Sequence, residues 1–439
     1  MTNLLIPPTI RVAACDLNGQ MRGKRLPADY AEKLDSGAVR LPLSALNVDI
    51  RGLDIAESPL VFESGDSDGM LLPTGRGPVP MPWLEHPSVL YPMALYHDDG
   101  TPFAGDPRHA LAAVLDRYAA RGLTVIAATE LEFTLVDDTT GLPMPPLDPL
   151  SGHRLHAGDV VSLEALDAFD AFFSDLYAAA EAMGIPAQAA ISESGVGQFE
   201  INLAHREAMR AGDDAWLFKR LIRGMARKHG LCATFLAKPY PEDAGNGMHV
   251  HFSLIDEAGR NIFDDGTAKG TPALGHAIAG CLEAMAPSTL VFAPHAVSYE
   301  RFRPGSHAPT GIAWAHENRT AAIRVPGGAP AARRIEHRVA GADVNPYLLL
   351  AAILGAALAG LEDGHEPPAP LTGNIYEADI PRIPATWDEA IRAFGESDLM
   401  ARILPRELIR NLVLTKQQEL ADISDLPREE QVKLYLERV

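Results

Sequence analysis

Three short stretches of this chain put ionisable side chains at every second position of otherwise apolar, strand-forming sequence. "ATELEF" spaces Glu130 and Glu132 two apart, "GMHVHFS" does the same with His249 and His251, and "ARRIEHRV" carries Arg334, Glu336 and Arg338 in succession. Residues i and i+2 of a strand face the same side of a sheet, so each stretch aims a polar pair or triplet at one face. A fourth stretch, "ISESGVGQFEIN", sets Glu193 and Glu200 on either side of a Gly-rich turn. Mutually repelling carboxylates in Ala-, Gly- and Val-rich strands cost stability unless cations neutralise them. The pattern therefore calls for one concave sheet face on which five carboxylates and a histidine converge.

That convergence limits the chemistry. Oxygen-rich ligand sets suit Mg²⁺ or Mn²⁺, and an imidazole among carboxylates leans towards Mn²⁺. Arginine forks beside such cations match phosphates and carboxylates. Divalent cations with arginines indicate phosphoryl transfer. The loop "YERFRPGSHAPT" adds Arg301, Arg303 and His307, and "HENRTAAIRVPGG" adds Arg319 and Arg324. The sequence has no GxxxxGK[ST] phosphate loop and no dinucleotide fingerprint. If ATP is used, cations and arginines hold it, rather than a helix N-terminus.

A length of 439 residues favours two domains, and a formal net charge of −20 argues against a nucleic-acid groove. No apolar run reaches the roughly 18 residues of a membrane span. The first residues lack the pattern of a signal peptide. Three widely spaced cysteines make neither a disulfide framework nor a zinc site. A reduced cytoplasm is the expected compartment.

Residues 1–103 read as short strands and turns, with a hairpin signal at Asn18-Gly19 and six prolines between 73 and 92. Asp106-Pro107 then reads as a helix start. The expected division is 1–103 and 104–439, in an α+β fold. In the second part, "LTVIAATELEFTLV" is a strand pair or one long bent strand. "SLEALDAFDAFFSDLYAAAEAMG" is a helix ending at Gly184, and "NPYLLLAAILGAALAGLEDG" is a buried helix.

At these residues the chain resembles the glutamine synthetase superfamily, from about residue 11 to the C-terminus. The family's motifs appear in order as "ELEF", "ESGVGQFE", "GMHVHFS", "RFRPG", "ENRTAAIR", "RRIEHR" and "NPYL". The resemblance implies a small N-terminal β-grasp-like domain and a large catalytic domain. In the latter a curved antiparallel sheet, flanked by helices, lines the active-site funnel. It implies one metal on Glu132, Glu193 and Glu200 and another on Glu130, His249 and Glu336. His251, Ser253, Arg324 and Arg334 match nucleotide-contacting positions. Arg301 matches the residue that holds the glutamate α-carboxylate, and Gly245 belongs to the same substrate site. Arg319 and Arg338 match positions that steady the transferred phosphoryl group and the reacting γ-carboxylate. The cofactors implied are ATP and Mg²⁺ or Mn²⁺. The assembly implied is a ring-shaped homo-oligomer, expected as a dodecamer, with each site completed by a neighbour's N-terminal domain.

The departures all fall at the nucleophile site. Ammonia-using members carry Asp-Gly-Ser-Ser where this chain has "SALNVDIRGLD", and a flap glutamate where it has His307. They carry a pocket tyrosine where "HRLHAGDVVSL" has no aromatic. A flap glutamate favours NH₄⁺ by its charge; an imidazole in its place can accept a proton from an attacking amine. "DLNGQMRGKRL", "GSHAPTGIAW" and "AGADVNPY" look like the γ-glutamylpolyamine and γ-glutamylmonoamine synthetase branch. The expected activity is ATP-dependent ligation of the γ-carboxylate of L-glutamate to a primary amine through a γ-glutamyl phosphate, with neither nucleic acid nor membrane as partner. The alternatives are glutamine synthetase using ammonium and a catalytically silent regulatory paralogue, although none of the six metal-ligand positions is lost. Asp49, Asp54, Glu57 and Asp159 are the acidic residues considered for a second ammonium group of a polyamine.

Overall fold

The computed structural model describes residues 8–267, 269–303 and 305–439. Six strands come first: β1 (Thr9–Cys15), β2 (Met21–Pro27), β3 (Arg40–Pro42), β4 (Asp68–Pro73), β5 (Val79–Pro80) and β6 (Val89–Tyr96). They form one sheet in the order β2-β1-β6-β4-β3, with β5 also on β6. The hairpin predicted at Asn18-Gly19 pairs Cys15 with Met21. Alternation along β1 serves two cores. Ile10, Val12 and Ala14 pack with Leu41, Leu71, Leu95 and Phe103 inside this part of the chain. Ala13, Cys15 and the following Leu17 join the main core, with Leu111 and Tyr118. One sheet face is thus closed locally and the other is closed only by the rest of the protein.

Asp106 caps α1 (Pro107–Ala119) by accepting the Arg108 N–H at 2.9 Å. The segment left open between one strand and two is one, β7 (Leu123–Val136). The helix expected over 162–184 is two, α2 (Leu163–Asp167) and α3 (Asp170–Ala182). Phe169 interrupts it at φ −110°, where its buried ring packs edge-on against Phe199 with centroids 5.5 Å apart. Core packing of the aromatic outweighs one turn of helix. There follow β8 (Ala187–Ser192), β9 (Gln198–Leu203), β10 (Arg206–Glu207), α4 (Ala208–Lys228), β11 (Cys232–Thr234) and β12 (Met248–Asp256). Then come α5 (Pro272–Glu283), α6 (Thr289–Phe292), β13 (Trp314–His316), β14 (Ile323–Val325), β15 (Ile335–His337) and α7 (Pro346–Asp363). The chain closes with α8 (Trp387–Gly395), α9 (Asp398–Ile403), α10 (Arg406–Ile423) and α11 (Arg428–Tyr435).

The second sheet runs β13-β14-β15-β12-β7-β9-β8, with β10 and β11 also on β7. Its pairs are antiparallel except β13–β14. Leu131, Phe133 and Leu135 of β7 point into the main core, which leaves Glu130 and Glu132 on the opposite face. Helices α1, α4 and α7 pack in that core. The α5 and α7 backbones meet at Gly280 and Gly360, where an added Cβ would lie 2.1 Å from a carbonyl oxygen of the other helix. By length and composition α7 qualifies as a membrane span, but 83% of it is buried inside the protein. It is a core helix.

An ion pair with no exposed surface ties α10 to the N-terminal part of the chain. Lys416 and Glu419 on α10 sit 2.8 Å apart. Lys416 also donates to Asn18 Oδ1 at 2.6 Å, and Glu419 accepts the Ile50 N–H at 2.7 Å. Breaking one side leaves a buried charge unpaired, a loss on the order of 3–5 kcal/mol. Lys416→Met should therefore lower the urea midpoint strongly, and Lys416→Met/Glu419→Leu should recover part of the loss. A double variant no more stable than the single one would contradict this reading of the pair.

Candidate active site

The register of the large sheet gathers the polar residues. Glu130 lies opposite His249 on β12 and Asn202 on β9. Glu132 lies opposite Glu200. Glu336 on β15 lies opposite His251 on one side and Arg324 on the other. Glu193 is one residue beyond β8, at the edge of the same face.

Two cavities open on this face. The first, about 500 Å³, is lined by Glu130, Glu132, Glu193, Glu200 and His249, together with Gly245, Arg301, His307, Arg319 and Arg338. The second, about 720 Å³, is lined by His251, Ser253 and Arg334 with apolar groups such as Ile126, Phe252 and Ala329. Glu130 and Asn202 line both, so they stand at the junction. Glu336 and Arg324 line neither. Arg324 turns away from the second cavity to Glu336, at 2.6 Å, and Glu317, at 3.3 Å.

Hydrogen bonds fix the donors. Glu130 binds His249 Nδ1 at 3.0 Å and His251 Nε2 at 2.9 Å through separate oxygens. The His251 Nδ1 atom accepts from Arg334 Nε at 3.2 Å, which fixes its tautomer. Arg338 and Arg324 clamp Glu336 from two sides. Arg301 is buried, donates to Val339 O at 2.7 Å and packs against the Gly245–Gly247 backbone. At Gly247 a Cβ would come within 2.6 Å of the Arg301 guanidinium, so only glycine admits that approach.

The electrostatics split the carboxylates. Burial opposes ionisation of Glu130, but the hydrogen bonds from His249 and His251 outweigh it and hold the carboxyl well below its ordinary range. Burial likewise opposes ionisation of Glu336, and Arg338 with the two histidines overcomes it. Nothing comparable serves the other side. Burial, then the charges of Glu130, Glu132 and Glu193, pushes Glu200 up to about 9. Burial and Glu132 push Glu193 up to about 7.

This donor set fits divalent cations. The His249 Nε2 atom is buried and without a hydrogen-bond partner among the described residues, while Nδ1 faces a carboxylate. That is how a metal-binding imidazole is oriented. Ligand atoms of Glu130, Glu200 and His249 lie within 4.8 Å of one another, as do those of Glu130, His251 and Glu336. Glu130 is common to both groups.

Several residues here escaped the sequence reading. Gln198 holds Glu132 at 3.1 Å and the Gly245 carbonyl at 3.0 Å, so it braces the first cavity's floor. The buried side-chain oxygen of Asn202, at the junction, has no hydrogen-bond partner among the described residues. Val160 and Val161 line the first cavity. Gln198 and Asn202 stand in the quoted motif at strand spacing from Glu200, which was the available signal. Of the four acidic residues considered for a second ammonium, Asp49 is excluded. It is buried and occupied by the Arg51 and Leu53 N–H groups and by Arg51 Nε, each at 2.8 Å. Asp54, Glu57 and Asp159 are exposed, and none lines the first cavity. Pro304, within the "RFRPG" motif, lies outside the described residues.

Residues 104–435 match the family described as glutamine synthetase, catalytic domain. The chain belongs to the glutamine synthetase family. It is 37% identical over 433 residues, 97% of this chain and 91% of the relative, to a gamma-glutamylputrescine synthetase of Escherichia coli strain K12. It is 32% identical over 408 residues, 91% of this chain and 86% of the relative, to a gamma-glutamylethanolamide synthetase of Streptomyces coelicolor. A solved structure of apo GmaS without ligand superposes with a TM-score of 0.84 at 26% identity, covering 97% of this chain and 96% of that one. Relatives in this glutamine synthetase family thus include enzymes named for amines rather than ammonium.

A group whose folded pKa is raised costs stability as pH climbs above its ordinary value. For Glu200 that window runs from 4.5 to about 9. With chelator present, the wild-type melting temperature should fall across this window, and Glu200→Gln should flatten the fall and raise the midpoint at neutral pH. Millimolar Mn²⁺ should raise the midpoint of wild type by more than that of the variant, which keeps the Glu130 and Glu336 side of the donor set. A Glu200→Gln protein less stable than wild type in chelator would contradict the account of like-charge crowding.

Proposed function

We propose that this protein is an ATP-dependent ligase that joins the γ-carboxylate of L-glutamate to a primary amine, releasing ADP and phosphate. The observation that carries the reading is the pair of cavities meeting at Glu130 and Asn202: one rich in carboxylates and arginines, the other largely apolar with His251, Ser253 and Arg334. The second has the character of a nucleotide site. The first has the character of a site for an acidic substrate.

In this reading Arg301 takes the α-carboxylate of glutamate beside Gly245. Arg338 and Arg319 orient the γ-carboxylate and the phosphoryl group in line, offsetting the repulsion between two anions. Glu336 holds Arg338 and Arg324 in place. Divalent cations on Glu130, His249 and Glu336 and on Glu132, Glu193 and Glu200, when bound, supply charge neutralisation at the phosphates. A γ-carboxylate oxygen attacks the terminal phosphorus of ATP and ADP leaves. The amine nitrogen then attacks the acyl carbon, the C–O bond breaks, phosphate departs and the nitrogen loses a proton. His307 on the first cavity is the proposed acceptor of that proton.

The reading extends to the assembly. Residues 1–103 act as a β-grasp-like domain and 104–439 as the catalytic domain, with the large sheet lining a funnel. The sheet face left for the rest of the protein to cover supports tight docking of the first part. A ring homo-oligomer, a dodecamer in the family pattern, and a cytoplasmic location belong to the same proposal.

The first test is phosphate release from ATP and glutamate with ammonium, methylamine, ethanolamine, putrescine or spermidine. At least one amine should exceed ammonium in kcat/KM by more than about tenfold, and His307→Glu should move preference towards ammonium. Ammonium as the best substrate would make the protein a glutamine synthetase. No release with any nucleophile would favour the silent paralogue.

A further inference from the structure

Val160 and Val161 present a feature the ligase chemistry leaves unexplained. Both line the first cavity, and both are exposed, at 55% and 71%. Val161 also has a backbone φ of 60°. That left-handed conformation is a true outlier for a β-branched residue. Among the described residues only four non-glycine residues have positive φ, and two of them, Val161 and His307, line this one cavity. Strained backbone of this kind gathers at functional sites, where the surroundings over-determine it.

The surroundings do so here. The Val161 N–H donates to the Ser192 carbonyl at 2.9 Å. The Ser192 hydroxyl donates to the Asp159 carbonyl at 2.7 Å and accepts the Ser162 N–H at 2.7 Å. Gly158 lies so close to Ser194 that an added Cβ would come within 2.2 Å of its carbonyl oxygen. Ser162 then caps α2 through the Ala165 N–H. The valine pair is therefore fastened, from both sides, to the end of β8 next to Glu193. Ile191 and Ala244 extend the apolar lining.

We propose that Val160 and Val161 form the wall that receives the hydrocarbon chain of the amine, which makes the nucleophile an aliphatic primary amine with a short alkyl chain next to the reacting nitrogen. This rests on the ligase reading and names its substrate class. Two exposed valines, one of them strained, are a poor choice for ammonium, which offers them no apolar surface. An alkyl chain laid against them removes apolar area from water on both sides. The carboxylates of this cavity are the proposed cation ligands, so the wall discriminates by hydrocarbon rather than by charge.

The test uses the full-length protein with two nucleophile sets. Hydroxylamine, which needs no wall, reports activation of glutamate as the hydroxamate. Ammonium, methylamine, ethylamine and propylamine report the wall. Wild-type kcat/KM should rise by about fourfold for each added methylene. Val161→Asn keeps a side chain that tolerates positive φ but is polar; Val161→Gly relieves the strain and removes the wall. Both should flatten the series and lower kcat/KM for propylamine by roughly tenfold, while KM for ATP and glutamate in the hydroxamate assay moves less than about threefold. Hydroxamate formed by a wild type that shows no chain-length dependence would overturn the inference and leave the ligase reading standing. So would an unchanged slope in both variants, or a change of oligomeric state by light scattering with the amine series intact. Absence of hydroxamate in wild type would overturn the ligase reading, and the inference with it.

Discussion

Glu130 and Glu132 on β7, Glu200 on β9 and Glu336 on β15 face the same side of one sheet, with Glu193 at its edge. Like charges at this spacing repel, and burial strengthens the repulsion by removing water. The protein offsets it unevenly. On one side, two histidines on Glu130 and two arginines on Glu336 satisfy the charges internally. On the other, burial and neighbouring carboxylates push the pKa values of Glu193 and Glu200 up and favour their neutral forms. In the proposed reading these unpaired carboxyls are where divalent cations would bind, because a cation offsets the burial and like-charge cost of ionising them.

Holding that cluster requires a frame that does not relax. The continuous pairing of β7 with β12 keeps Glu130 against His249, and a slip of β7 by one residue would send Glu130 and Glu132 towards the apolar core. The core behind it is closed by α7 and by the Gly280–Gly360 contact. The N-terminal sheet adds Ala13, Cys15 and Leu17 to the same core. The Lys416–Glu419 pair locks α10 to the Asn18 and Ile50 segments. Strain at the cavity rim, at Val161 and His307, is sustained by this rigidity.

Much of this was legible in the sequence because a strand's period of two is strict. Glu-x-Glu, His-x-His and Arg-x-Glu-x-Arg can be read as shared faces before any pairing is known, and the α+β class follows from the helices between them. What was not legible depends on partners distant in sequence. The choice of Arg324 for Glu336 over the second cavity is set by a register between β14 and β15. The sharing of Glu130 between two histidines depends on side-chain rotamers. Asp49 read as a free acid and is a buried turn-former for Arg51. The break at Phe169 reflects a core contact that local helix propensity does not encode. Val161 carries no sequence mark of positive φ, because glycine or asparagine is what that conformation favours.

The central claim is that activation passes through the γ-carboxylate of glutamate. The direct measurement uses glutamate labelled with ¹⁸O in that carboxylate, with ATP, Mg²⁺ and an accepted amine, followed by mass analysis of the released phosphate. Attack by the carboxylate oxygen on phosphorus, then by the amine on the acyl carbon, carries one labelled oxygen into each phosphate. The account predicts that transfer. Unlabelled phosphate released in step with amide formation would contradict it.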